Sequence, residues 1–87
     1  MKVVEIKNIV MKDVPIYYRR LYKGTAVLEL LGKPVELSLD FQVEHMPTGQ
    51  TEISITSMDE IDYPRVPLQK ELKTFIGTLD SSGKLPN

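Results

Sequence analysis

The stretch Val35–Glu44 constrains the fold more than any other. Val35, Leu37, Leu39, Phe41 and Val43 alternate with Glu36, Ser38, Asp40, Gln42 and Glu44. Successive side chains of a strand point to opposite faces, so this pattern specifies a strand with one apolar and one polar face. A strand with one wet face belongs to an antiparallel sheet covered on one side only. The rest of the chain must therefore supply neighbouring strands and a cover.

The cover is visible near the C-terminal end. Leu68, Leu72, Phe75, Ile76 and Leu79 recur at helical spacing within Pro67–Asp80, and Lys70, Glu71, Lys73 and Asp80 lie mostly off that stripe. Pro67 suits a first helical position. Gly83 suits the residue just past the helix, and Pro86 prevents continuation. Gly77 inside this helix costs about 1 kcal/mol relative to alanine, which points to close packing against the sheet.

The neighbouring strands are also legible. Thr25–Leu31 places Ala26, Leu28 and Leu30 on one face, and Thr51–Thr56 places Ile53 and Ile55 on one face. Val3–Met11 reads as a further strand with imperfect alternation. Leu31-Gly32-Lys33-Pro34 reads as a hairpin connection with Gly32 first of the central pair. Pro34 has no N–H to close the tightest turn, and that register would oppose Glu29 to Glu36. The expectation is a loop wider than two residues, with Glu29 opposite Ser38. His45–Gln50 is a loop by its proline and glycine content. Ser57-Met58-Asp59-Glu60 has capping-box spacing, and Pro64 allows only a short turn after it.

Asp13–Gly24 fits two patterns. As a strand it aligns Val14, Ile16, Tyr18, Arg20 and Tyr22. As a helix it aligns Val14, Tyr17, Tyr18, Leu21 and Tyr22, between a capping Asp13 and a terminating Gly24. Its tyrosines and its continuity into Thr25 favour strand, with a bulge at Gly24. The expected fold is a single α+β domain over residues 1–87: an antiparallel sheet of four or five strands with one C-terminal helix packed on one face.

At 87 residues, with 41% hydrophobic and 26% charged residues, the chain supports one core and lacks the signature of disorder. It has no cysteine, so no disulfide or thiolate metal site is possible, and it suits a reducing cytoplasm. Glu5 and Lys7 break any apolar signal core, and no apolar run approaches the ~18–20 residues that span a bilayer.

Net charge is −1, which argues against a generic polyanion binder, but charge is segregated. Residues 1–33 carry seven basic and three acidic side chains, whereas seven acids and no Lys or Arg lie between Lys33 and Arg65. Such asymmetry marks a partner surface or, more simply, basic and acidic strands that neutralise each other as neighbours.

The most suggestive cluster is Tyr17-Tyr18-Arg19-Arg20-Leu21-Tyr22-Lys23. Aromatic rings interleaved with cations can stack bases and neutralise phosphates. The candidate binding residues are Tyr18, Arg19, Arg20, Tyr22 and Lys23. On a strand, Arg19 and Lys23 point one way while Tyr18, Arg20 and Tyr22 point the other; on a helix Arg19, Arg20 and Lys23 share a face. The plain alternative is ordinary strand residues with arginine stems lying over tyrosine rings.

His45, the one histidine, sits beside Glu44, and a regular hairpin brings it near Thr51 and Glu52. A histidine with two carboxylates can hold zinc or act as a general base, yet a lone loop histidine is ordinarily polar surface. Asp59, Glu60 and Asp62 lack calcium-loop spacing, and Pro64-Arg65-Val66-Pro67 has PxxP spacing but directly precedes a helix. No phosphate loop, nucleophile elbow or helical metal pair is present. The expectation is a non-enzymatic protein-interaction or homo-oligomerising module of a bacterial or phage kind, without cofactor or metal. The alternative is nucleic-acid binding through residues 17–23.

Overall fold

A computed structural model describes residues 1–12 and 19–86. Along the chain lie β1 (Lys2–Met11), β2 (Arg19–Leu30), β3 (Lys33–His45), β4 (Thr51–Met58) and α1 (Arg65–Ser81). The four strands form one antiparallel sheet in the order β1-β2-β3-β4, and α1 packs on one of its faces. This is the α+β architecture that the alternating strand and the amphipathic helix require. The strand-or-helix question over 13–24 is answered as strand for Arg19–Gly24; residues 13–18 lie outside the described residues.

The core joins the inward residues of Val35–Glu44 to the helix stripe. Leu37, Leu39, Phe41 and Val43 are buried with Tyr22, Ala26 and Leu28 of β2, Ile6 of β1, and Leu68, Leu72 and Ile76 of α1. The α1 backbone comes closest to β1 and β4, the two edges of the sheet. Register shifts help those edges bend toward it. In β1, Val4 is an extra residue between the Val3–Leu28 and Glu5–Val27 pairs, and Asn8 and Ile9 together oppose Gly24. In β4, Thr56 is extra between the partners of Asp40 and Phe41. Each bulge adds local twist and flips the facing of the strand residues beyond it. That is why Val3–Met11 alternates imperfectly, and the bulge expected at Gly24 lies in the strand facing it, with Asn8 at φ 56°.

The β2–β3 connection differs from the expected wide loop. It is a two-residue turn, Leu31-Gly32, closed by the Leu30–Lys33 pair. Both central residues have positive φ, 52° and 76°, the signature of a type I′ turn. Gly32 therefore takes the second central place. Glu29 then faces Pro34, and Glu36 faces Val27, so no like charges oppose. Pro34 falls one residue beyond the hydrogen-bonded closing pair, where its nitrogen points away from β2 and the missing N–H costs no ladder bond. Leu31 holds a left-handed conformation at a cost of roughly 1–2 kcal/mol.

The helix begins two residues before Pro67, so Pro67 is its third residue. First-turn N–H groups lack intrahelical acceptors, so proline is tolerated there as well. The other end follows the expectation. Gly83 adopts φ 70°, its N–H donates to Asp80 O at 3.1 Å, and the Lys84 N–H donates to Leu79 O at 2.9 Å. These are the paired bonds of a Schellman stop. The capping-box spacing at Ser57–Glu60 starts no helix. Ser57 and Met58 belong to β4, and Asp59 extends the ladder: its N–H donates to Ser38 O at 3.0 Å and its carboxylate accepts the Ser38 N–H at 2.9 Å.

Candidate interaction face

One face of the sheet carries the core; the other has no helix over it among the described residues. Side chains on that uncovered face are set by register. Lys23 opposes Asp40, Arg19 opposes Glu44, Thr25 opposes Ser38 and Val27 opposes Glu36. Glu52 of β4 opposes Glu44. From β1 the Lys7 ammonium reaches Glu36 Oε2, and from the residue just after β1 the Lys12 ammonium reaches Asp40 Oδ2, each at 2.7 Å. The face is thus divided lengthwise. Lys7, Lys12, Arg19 and Lys23 make the β1–β2 half net basic, although Glu5 and Glu29, the latter opposite Lys2, also lie on it near the hairpin end; Glu36, Asp40, Glu44 and Glu52 form an acidic stripe on β3 and β4. Half-buried Leu21 and Val27 lie between the charges. The Lys7 pKa is raised, first by its hydrogen bond to Glu36 and then by that carboxylate's charge.

The candidate residues of segment 17–23 are distributed over both faces. Arg19 and Lys23 share the uncovered face. Arg20 opposes Val43 on the covered side. Tyr22 is only 1% exposed, stacks on Phe41 with centroids 5.1 Å apart, and donates its hydroxyl to Pro86 O at 3.1 Å. In this arrangement the Tyr22 ring is not available to stack a base. Tyr18, like Tyr17, lies outside the described residues. Lys7 and Lys12 complete the basic stripe, and sequence reasoning misses them because the bulges in β1 obscure its facing.

His45 opposes Thr51 as the hairpin pattern suggests. Its Nε2, however, lies 3.3 Å from Asp80 Oδ2 at the end of α1, and it lines a concavity of about 420 Å³ with Glu44, Met46 and Pro47. Among the described residues no three His, Asp or Glu side chains cluster to hold a metal ion. Pro64–Pro67 forms the N-cap and first turn of α1 and is not an extended proline helix.

The model of one protein family, a family of unknown function, matches residues 1–81, which takes in the whole sheet and all of α1. The chain belongs to that family. No curated protein and no solved structure matches it. In this family member no helix of the described residues is long and apolar enough to cross a membrane.

Proposed function

We propose that this chain is a non-enzymatic, cytoplasmic protein-interaction module whose uncovered sheet face binds a second copy of itself. The supporting observation is the lengthwise division of charge on that face. The boundary between the stripes runs between β2 and β3. A copy turned by 180° about that boundary, face to face, lays its acidic stripe on the basic stripe of the first. Lys23 of one copy then stands over Asp40 of the other, and the contact is self-complementary as a twofold interface requires.

Magnitudes fit a weak dimer. Four strands ~4.8 Å apart and ~10 residues at ~3.3 Å each give roughly 600 Å² per copy. The total of ~1,200 Å² is at the lower limit of stable interfaces. The in-chain pairs Lys7–Glu36 and Lys12–Asp40 reduce the gain, but a carboxylate accepts more than one cation. The bulges in β1 and β4 oppose strand addition at either edge and favour the face.

Sedimentation equilibrium at low and high salt tests the proposal. Dimerisation at low salt should weaken as salt screens the stripes. Lys23→Glu and Asp40→Lys should each abolish it, and mixing the two variants should restore it, because both cross-contacts become attractive. A wild-type chain that stays monomeric at low salt, or variants that associate like wild type, would refute the proposal. Binding of oligonucleotides at low salt, lost on Lys23→Glu, would instead favour nucleic acid on the basic stripe.

A further inference from the structure

We infer that the groove over Tyr22 is a binding site for an extended peptide bearing a Leu-Pro pair, occupied in this structure by the chain's own strap, Gly83–Pro86. The strap leaves the helix at the left-handed Gly83 and returns over the covered face. Its first N–H groups are spent on the helix end, at Asp80 O and Leu79 O. Two anchors then hold it. Leu85 is 7% exposed and joins the core cluster that contains Tyr22 and Phe41. The Pro86 carbonyl accepts the Tyr22 hydroxyl. An apolar side chain followed by a carbonyl acceptor is chemistry that another chain can supply equally well.

The family match separates the seat from its occupant. Tyr22 and Phe41 fall within the span matched by the family model, residues 1–81, and the strap falls beyond it. An empty seat is disfavoured: it would expose the apolar residues beneath Leu85 and leave the Tyr22 hydroxyl without its partner. The site therefore exchanges one occupant for another, and the strap sets the affinity that an incoming peptide must exceed. Proline reduces the entropy lost when such a segment is ordered.

The test uses the full chain carrying Leu85→Ser and an acetylated, amidated peptide with the sequence of residues 82–87. Binding is read from the ring-proton shifts of Tyr22 and Phe41 in NMR spectra. The variant should bind the peptide saturably, the wild type at least tenfold more weakly, and a peptide with serine in place of leucine not at all. A folded variant that binds no peptide would overturn the inference. If the variant does not fold, the wild type titrated to about 10 mM decides, since the tethered strap has an effective concentration in the millimolar range. Release of the Leu85 methyl signals to free-peptide positions supports the site, and unmoved signals overturn it.

Discussion

The two faces of this sheet are built from the same four strands, alternate residue by alternate residue, and are held together differently. On the covered face Tyr22 meets Phe41, Gly24 meets Leu39, Ala26 meets Leu37 and Leu28 meets Val35. Large and small side chains interlock there under α1, and among the described residues no polar or charged side chain is fully buried. On the uncovered face the matching positions hold Lys23 with Asp40 and Thr25 with Ser38. Close packing punishes any change of volume, whereas solvated charge pairs contribute little to folding and are free to serve recognition. Stability should therefore lie almost wholly on one face and self-association on the other.

The largest effect should come from Phe41→Ala. The ring is fully buried against Tyr22, and removing it should cost about 3–5 kcal/mol. That is a large part of the stability of a domain this size, so the urea midpoint should fall steeply or the cooperative transition vanish. A midpoint close to wild type would mean that the covered face is not the main store of stability.

Gly24→Ala comes next and probes shape, since it adds one methyl to the same face. A Cβ there would stand 3.2 Å from Ile6 Cγ2 and 3.3 Å from Ile9 Cγ1. Ile6 is in the core, so it cannot yield freely. Overpacking of ~1–3 kcal/mol outweighs the ~0.5–1 kcal/mol that alanine gains over glycine in a strand. A net loss of about 1 kcal/mol is expected by denaturant titration. Gly77→Ala should have the opposite sign. Its added Cβ meets only Ile53 Cδ1, at an ordinary 3.4 Å, so close packing does not demand glycine there. The variant should gain up to about 1 kcal/mol of helix propensity. Loss of stability in Gly77→Ala would show that helix and sheet pack too tightly to accept a methyl.

The contrast between faces is largely legible in the sequence, and where it is not the reasons are physical. Val35–Glu44 declares its two faces because nothing interrupts its period of two. The helix stripe and its stop at Gly83 are equally plain, because both are local. The β2–β3 register is not. Sliding the pairing by two residues keeps every apolar side chain on the same face, so the pattern cannot choose. The choice is made by Leu31 in a left-handed conformation that side-chain preference disfavours. In β1, two bulges scramble the facing of Lys7 and Lys12, which hides half of the basic stripe. Alternation assigns Tyr22 to a face but cannot say what covers it. That role falls to Leu85 and Pro86, after the helix stop, in a segment with no period to read. The His45–Asp80 contact likewise spans β3 and α1 and leaves no local trace.

The smallest effects belong to the uncovered face. Lys12→Ala removes the partner of Asp40, an exposed pair, and should change folding stability by less than about 1 kcal/mol. The same substitution should weaken low-salt dimerisation, because the basic stripe loses one of its cations. Lys7 allows the comparison to be made by titration. Its pKa in the folded chain is raised by Glu36, so its stabilising contribution is complete below the unfolded pKa of about 10.4 and is lost as pH rises through the higher folded value. The other lysines also titrate in this range, so the informative quantity is the difference between wild type and Lys7→Met. That difference in urea midpoint should be constant from about pH 7 to 9 and shrink above about pH 10.4. A difference that stayed constant through about pH 10.4 and above would mean that the lysine is held by packing of its stem and not by its charge. The uncovered face would then resemble the covered one more closely than its sequence suggests.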